Sequence, residues 1–217
     1  MNRLLTICIL SLCCAVQPVL AQNDPKAKTV LDAVTKKINA SKGIKANLVV
    51  HLTDVKGKVT DTKKGTVSLK GQKYHVLLGG QEIICDTKTV WNYNKEAKEV
   101  QVSNYNPDEQ TLSPAKLFTL NFYDKEYKYK YTGTKKLNNK DCDVVELVPI
   151  SASKQFTKVE LLIEKKTSTI AGGNIWQKNG SKVQCEINNF TPNSNIPDSY
   201  FTFNAKEHPG VEVVDLR

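Results

Sequence analysis

The sequence predicts a mainly β domain of antiparallel strands that follow one amphipathic helix. After Gly43 the apolar residues recur at every second position, as at Ala46, Leu48, Val50 and Leu52. A period of two places such residues on one face of a strand. Turn signals recur about every ten residues, a spacing typical of an antiparallel sandwich or barrel.

The first residues follow the order of a secretory signal peptide. Arg3 precedes an apolar run over residues 4–16, Pro18 breaks that run, and a small residue, Ala21, follows Leu20. These features correspond to the charged region, apolar region and cleavage site of an exported protein. The run is shorter than the roughly 20 residues of a spanning helix. The sequence therefore predicts a signal peptide over residues 1–21 and a single domain over residues 22–217.

The predicted domain opens with its helix. Asp24 is placed to cap the first turn, Pro25 to occupy the first helical position, and Gly43 to end the helix. Apolar residues recur at helical spacing opposite several lysines; they are Ala27, Val30, Leu31, Val34 and Ile38.

Alternating residues then predict a series of short strands. These fall at residues 46–52, 67–69, 74–78, 83–85, 91–93, 100–102, 127–131, 144–148, 159–163, 170–176, 183–187 and 201–203. Between the sixth and seventh strands, Ser113 and Pro114 are placed as a helix cap and first helical residue. They predict a short second helix over residues 113–119.

The basic charge of the chain does not indicate a nucleic-acid partner. The formal net charge is +9, but after cleavage Arg217 is the sole arginine, and proteins that read nucleic acids favour arginine. The lysines are spread along the whole chain, as on a solvated β-surface with protected edges. A weak attraction to anionic lipid headgroups is the alternative.

The sequence of the predicted domain lacks the motifs of enzymes and metal sites. It has no His-x-x-x-His or Cys-x-x-Cys spacing, nucleophile elbow, phosphate loop or dinucleotide motif. His51 and His75 lie on the polar phase of their strands, so both are predicted at the surface. We therefore expect a protein that is not an enzyme and that uses no metal or cofactor.

Three cysteines remain after cleavage, so at most one internal disulfide can form. Cys85 and Cys185 lie on the apolar phase of their strands and are predicted to be buried. The third is Cys142. Whether two of the three form a bridge stays open.

Two interpretations of the apolar face remain open from the residues alone. The helix and sheet can enclose an ordinary closed core, as in a structural surface protein. Alternatively, the helices cover a concave sheet with room for acyl chains, which suits a mostly apolar site with few fixed polar groups.

The order of the elements and several short motifs resemble the periplasmic outer-membrane lipoprotein carrier LolA and its relatives. The resemblance covers nearly the whole predicted domain. A hairpin runs through residues 65–70, and residues 83–93 are similar to the family's Asp-Gly-Lys-x-aromatic-x-Tyr hairpin, with Thr87 where the family usually has glycine. Residues 196–203 and 209–214 resemble the family's terminal signature, and residues 113–119 fall where the family places lid helices.

The resemblance implies an incomplete, strongly curved antiparallel β-barrel covered by a few short helices. It implies a monomeric periplasmic carrier that shields lipoprotein acyl chains between an inner-membrane ABC transporter and an outer-membrane acceptor. The alternatives are a LolA-like binder or sensor of another amphiphile, such as a glycolipid, and a closed-core surface protein. Family carriers often latch the lid with an arginine, and Arg217 alone remains here, so a different latch is expected.

The inward phase of each strand and the apolar side of each helix predict the lining of the acyl-chain site. The predicted lining residues are Val30, Leu31, Val34, Ile38, Leu48, Val50, Leu52, Val67, Leu69, Tyr74, Val76, Trp91, Leu117, Phe118, Val145, Leu161, Ile163 and Ile187. The neighbours Leu161 and Leu162 are predicted to face the concavity and the solvent, respectively. Arginine at position 162 is therefore expected to change little.

Overall fold

The computed structural model of the protein describes residues 23–106 and 123–217. The helices are α1 (Pro25–Asn39) and α2 (Tyr123–Glu126). The strands are β1 (Ile44–Thr53), β2 (Val59–Lys70), β3 (Lys73–Leu78), β4 (Gln81–Cys85), β5 (Thr89–Asn94), β6 (Glu99–Asn104), β7 (Tyr127–Leu137), β8 (Lys140–Pro149), β9 (Phe156–Glu164), β10 (Thr169–Gln177), β11 (Lys182–Pro192) and β12 (Glu212–Asp215). The predicted signal peptide over residues 1–21 and the predicted short helix over residues 113–119 lie outside the described residues.

The strands form one 12-stranded sheet that does not close into a complete barrel. Its order is β12-β6-β5-β4-β3-β2-β1-β11-β10-β9-β8-β7, so β12 and β7 are the two edges. Every pairing is antiparallel except that of β12 with β6, which is parallel. The prediction of a mainly β, incomplete antiparallel barrel is confirmed.

Helix α1 begins as predicted and ends earlier than predicted. The Asp24 carboxylate accepts the N–H groups of Lys26 (2.8 Å) and Ala27 (3.3 Å), and Pro25 is the first helical residue. The helix ends at Asn39, not at Gly43, because the chain turns there through hydrogen bonds to carbonyls of the last turn. Gly43 instead meets the chain after β11, where an added Cβ would lie 2.5 Å from the Ser194 carbonyl oxygen.

The sheet buries apolar residues on both faces. The inner face carries α1, which packs against β7 and β10, and holds the main cluster. The outer face of β4, β5 and β6 holds a second cluster, consisting of Ile84, Tyr93, Val100, Val102 and Phe203. A third cluster on the outer face of β8, β9 and β10 consists of Cys142, Leu162 and Ala171.

The C-terminal segment covers the outer face and does not extend the sheet where predicted. Residues 201–203 were predicted as a strand, but a 3₁₀ helix spans Asp198–Phe201. Pro197 restricts the backbone at the entry to this turn, and Phe201 and Phe203 are buried beneath it. The chain joins the sheet only at β12, whose partner is β6.

His75 is buried, which corrects the prediction of a surface histidine. Its Nε2 lies 2.8 Å from Oε1 of buried Glu82, and its Nδ1 lies 2.9 Å from the carbonyl oxygen of Tyr200. The prediction failed because the C-terminal segment covers the polar phase of β3. His51, as predicted, is partly exposed, and its Nδ1 lies 2.9 Å from the Thr62 hydroxyl.

Replacing Asp24 with alanine is expected to lower the midpoint of thermal unfolding by a few degrees. The change removes the helix cap and the hydrogen bond that Asp24 Oδ2 accepts from the Tyr131 N–H (3.0 Å) at the edge of β7. The Tyr131 bond is the main cause of a lowered pKa of Asp24. Its contribution is therefore full above the usual pKa of 3.8 and fades as the pH falls.

Thermal melts of Asp24→Ala and of Asn204→Ala test this expectation. Asn204 caps a three-residue 3₁₀ helix by accepting the Lys206 N–H at 3.2 Å, so its loss affects far less structure. An equal shift in the two variants would contradict the role assigned to Asp24.

Candidate functional site

The inner face of the sheet forms one continuous apolar surface under α1. The sequence-predicted lining residues that belong to its buried cluster are Leu31, Val34, Ile38, Leu48, Val67, Leu69, Tyr74, Val76, Val145, Leu161, Ile163 and Ile187. Val30 is partly buried and packs against this cluster. The structure therefore brings predicted residues of the helix and of six strands (β1, β2, β3, β8, β9 and β11) onto one surface.

Five predicted lining residues stand apart from this cluster or from the described residues. Val50 is buried and Leu52 is half-buried further along β1. Trp91 packs on the outer face with the second cluster, because its register partners are Ile84 and Val102. Leu117 and Phe118 lie outside the described residues.

The sequence analysis missed several inner-face residues. Tyr127 and Tyr129 alternate with lysines in β7, which is a strand signal that could have placed them. Further members of the cluster that were not among the predicted lining residues include Ile44, Ala46, Cys85, Leu147, Phe156, Val159 and Ile170 on the strands and Tyr123 on α2.

An apolar cavity of about 50 Å³ lies on the inner face where β9, β10 and β11 meet. Its walls are formed by Val159, Leu161, Ile170, Gly172, Gly173, Asn174, Ile175, Cys185 and Ile187. The pairing of β9 with β10 is irregular between Ile170 and Gly172. Such a bulge increases the local bend of the strand.

Gly173 creates much of this space. It pairs with Leu161 on one side and with Cys185 on the other, and both neighbours line the cavity. A Cβ at this position would lie 2.6 Å from the Glu160 carbonyl oxygen. Glycine therefore allows the close approach of β9 and β10 and leaves a hollow in the inner face.

The inner face becomes more accessible toward the turns that join β1 to β2 and β10 to β11. Leu52, Ile175, Val183 and Cys185 are all half-buried there. Leu52 pairs with Val183, and Val183 pairs with Ile175, so strand alternation places them on the face that carries the cavity. We call these four residues the cavity mouth.

A polar cluster fastens the first half of α1 to α2 and β7. Lys28 Nζ donates to Asp124 Oδ2 (3.0 Å), and the Tyr129 hydroxyl donates to Asp124 Oδ1 (2.5 Å). The Tyr123 hydroxyl donates to Asp32 on the helix. Burial, and then the hydrogen bond to Asp32, raises the pKa of Tyr123 to about 12, while the Tyr129 bond lowers the pKa of Asp124.

The three cysteines within residues 23–106 and 123–217 are free thiols. Cys85 and Cys142 are buried, and Cys185 is half-buried in the cavity wall. Apolar surroundings, and then the charge of Glu186, raise the pKa of Cys185 to about 11. A high pKa keeps the thiol protonated and unreactive at neutral pH, so Cys185 serves as apolar lining.

The chain is similar in sequence to proteins of one known family. The family model described as "Outer membrane lipoprotein carrier protein LolA" matches residues 39–204. The chain belongs to the LolA family. Two relatives named outer-membrane lipoprotein carrier protein, from Shewanella sp. (strain MR-7) and Shewanella sp. (strain MR-4), are 27% and 26% identical to it. Both alignments cover 100% of this chain and 98% of the relative.

A solved structure shares the fold of this chain. An uncharacterized conserved protein from Thermus thermophilus superposes with a TM-score of 0.59 at 15% identity. The match covers 88% of this chain and 99% of that protein. At this identity the likeness concerns the fold.

The residues that the structure describes include neither a candidate membrane-spanning helix nor a candidate metal-binding cluster. Neither of the described helices is long and apolar enough to cross a membrane. Over residues 23–106 and 123–217, no group of three or more histidine, cysteine or acidic side chains is placed to hold a metal ion.

Proposed function

We propose that this LolA-family protein is a periplasmic carrier that shields lipoprotein acyl chains on its inner face. The observation that carries the proposal is the continuous apolar surface under α1, which contains a cavity and ends in a half-buried mouth. Family membership supports the same function, since the matching relatives are named lipoprotein carriers.

The energetics of an acyl chain explain why a carrier is needed. Leaving a chain of about sixteen carbons in water costs roughly 12 kcal/mol, at about 0.8 kcal/mol per methylene. A multiply acylated protein therefore crosses an aqueous gap slowly without a partner. An apolar concave sheet covered by a helix removes those methylenes from water.

Loading requires α1 to move. Ligand pockets for molecules of moderate size measure about 300–1,000 Å³, and the cavity beside Gly173 measures about 50 Å³. The buried side of α1, formed by Ala27, Leu31, Val34 and Ile38, occupies the inner face that the acyl chains would use. We infer that the acyl chains displace this side of the helix.

The polar cluster around Asp124 suits a helix that closes and reopens. Lys28 and Asp32 are about half exposed, so water can replace their partners at little cost, and exposed ion pairs contribute roughly 0–1 kcal/mol. We infer that a lysine and two tyrosines hold the helix, and that they form the different latch expected in a chain without the family's arginine.

The remaining parts of the proposal concern export and transfer. A signal peptide over residues 1–21 would deliver the chain to the periplasm, leaving a monomeric domain over residues 22–217. An inner-membrane ABC transporter would load the carrier, and an outer-membrane acceptor would receive the lipoprotein. The family match supports these steps.

Replacing Ile175 with aspartate is expected to weaken the binding of a fluorescent fatty acid by about tenfold or more. Ile175 lines the cavity and is half-buried, so a carboxylate there must be desolvated when the acyl chain enters. Titration of the purified protein with the probe measures the change.

Val49→Asp is the matched control for Ile175→Asp. Val49 is also a half-buried β-branched residue, but strand alternation places it on the outer face, where it pairs with Lys64 and Glu186. Its substitution should leave probe affinity within about twofold. Equal losses in the two variants would contradict the location of the site.

Mass spectrometry of the protein purified from the periplasm identifies the cargo and the mature terminus. Recovery of acylated lipoproteins on a chain that begins at Gln22 supports the proposal. Recovery of free glycolipid alone would indicate a carrier or sensor of another amphiphile. Failure to bind either lipid or probe would show that the inner face is a closed core.

A further inference from the structure

Two neighbouring turns form a protruding surface beside the cavity mouth. Residues 54–58 join β1 to β2, and residues 178–181 join β10 to β11. We call these two turns, together with Val59 and Lys182 at the start of the strands that follow, the hairpin rim. Thr53 pairs with Lys182 across the two strands, and a Cβ at Gly180 would lie 3.1 Å from Val55 Cγ1. The two turns are therefore in contact and act as one surface.

The hairpin rim exposes apolar side chains at its tip. Val55 is 68% exposed and Val59 is 51% exposed. More than half of each side chain is therefore left outside the packing of the protein.

The hairpin rim is also basic. Lys56, Lys58 and Lys178 are exposed, and Lys182 is half-buried. None of their ammonium groups lies within ion-pair distance of a carboxylate in the described parts of the chain, whereas other lysines are paired, as Lys135 is with Glu160 (3.0 Å).

The acidic residue of the hairpin rim does not offset this charge at its tip. Asp54 Oδ1 accepts the backbone N–H groups of Lys56 and Lys58, both at 2.9 Å. The carboxylate is thereby turned toward the backbone of its own turn. Lys56 follows Val55 and Lys58 precedes Val59 in the chain, so exposed lysines neighbour both valines in sequence.

We propose that the hairpin rim docks on an anionic lipid surface. Lysines near such a surface are attracted to its anionic headgroups, and valines between them can enter the boundary between headgroups and acyl chains. Docking would turn the cavity mouth, and with it Leu52 and Val183, toward the bilayer. That consequence rests on the proposed function, whereas the docking itself does not.

Co-sedimentation with vesicles tests the proposal. The wild-type protein is expected to bind phosphatidylcholine vesicles that contain phosphatidylglycerol, and added salt should weaken that binding. Val55→Asp/Val59→Asp and Lys56→Glu/Lys58→Glu should each weaken it by about tenfold or more.

Matched controls lie elsewhere on the surface. Val213→Asp changes a residue of β12 that is 52% exposed, and Lys136→Glu/Lys166→Glu changes two exposed lysines at the opposite end of the sheet. These variants should bind vesicles within about twofold of the wild-type protein. Equal losses in controls and rim variants, or a wild-type protein that does not sediment with anionic vesicles, would overturn the proposal and leave an acidic protein partner as the alternative.

Probe binding without vesicles separates this proposal from the proposed function. The rim variants should bind the fluorescent fatty acid as the wild-type protein does, because the cavity is lined by other residues. Vesicle binding by a protein that binds no probe would refute the carrier function alone. Probe binding without vesicle binding would refute the docking surface alone.

Discussion

Replacing Leu161 with arginine is expected to lower the free energy of unfolding by more than about 4 kcal/mol. Leu161 is 2% exposed and packs in the main cluster beneath α1. The substitution removes a leucine from the core and leaves a guanidinium without a buried carboxylate partner in its place. Urea unfolding followed by circular dichroism measures the loss.

Leu162→Arg, at the neighbouring position, is the comparison. The sequence predicts little change for this variant, whereas the structure predicts a loss of stability. Strand alternation does place Leu162 on the outer face, away from Leu161, but its side chain is 7% exposed and packs with Cys142 and Ala171. We expect a loss of about 2–4 kcal/mol, because this small cluster lies near the surface and an arginine head can reach water from it. An unfolding midpoint of Leu161→Arg equal to that of the wild-type protein would show that the inner face is an open cavity at this point.

The helix and most strands could be predicted because their signals are local. Asp24 and Pro25 define the start of α1 through hydrogen bonds and backbone geometry within one turn. Strand alternation around Leu48 indicates a strand with one buried face and one face in water. The family resemblance supplied the curvature, which local patterns do not encode.

Predictions of phase failed where both faces of the sheet are buried. Residues 83–85 and 90–91 are apolar without alternation, because Ile84 and Trp91 face the outer cluster while Ile83 and Val90 pack against the inner one. A continuous apolar run does not show which of its residues face which side of the sheet. The predicted lining therefore placed Trp91 on the wrong face.

The covering of the outer face is a long-range effect. The C-terminal segment returns about 120 residues later in the chain to lie over His75, where its Tyr200 carbonyl provides a hydrogen-bond partner. No local pattern around His75 reports such a partner. The aromatic alternation of Phe201 and Phe203 resembles a strand because both side chains are buried, although the backbone is not paired there.

The buried pair of His75 and Glu82 connects this covering segment to the sheet. Both ring nitrogens face acceptors, namely the Glu82 carboxylate and the Tyr200 carbonyl. Lys95 Nζ lies 3.6 Å from the other Glu82 oxygen. The hydrogen bond from His75 is the main cause of a lowered pKa of Glu82.

Replacing Glu82 with glutamine is expected to lower the free energy of unfolding by about 2–4 kcal/mol at neutral pH, because the buried His75 ring loses its carboxylate partner. The lowered pKa of Glu82 means that its contribution is full above the unfolded-state value of 4.5 and is lost as the pH falls through the folded-state value. Urea unfolding at several pH values should therefore show the free energy of unfolding of the wild-type protein approaching that of Glu82→Gln as the pH falls.

Glu96→Gln is the control, because Glu96 lies in the exposed turn that follows β5. Its free energy of unfolding should match that of the wild-type protein at every pH. If the free energies of unfolding of the wild-type protein and Glu82→Gln differ by the same amount from neutral to acidic pH, the role of the ionised carboxylate is contradicted. A loss of packing alone would not depend on pH.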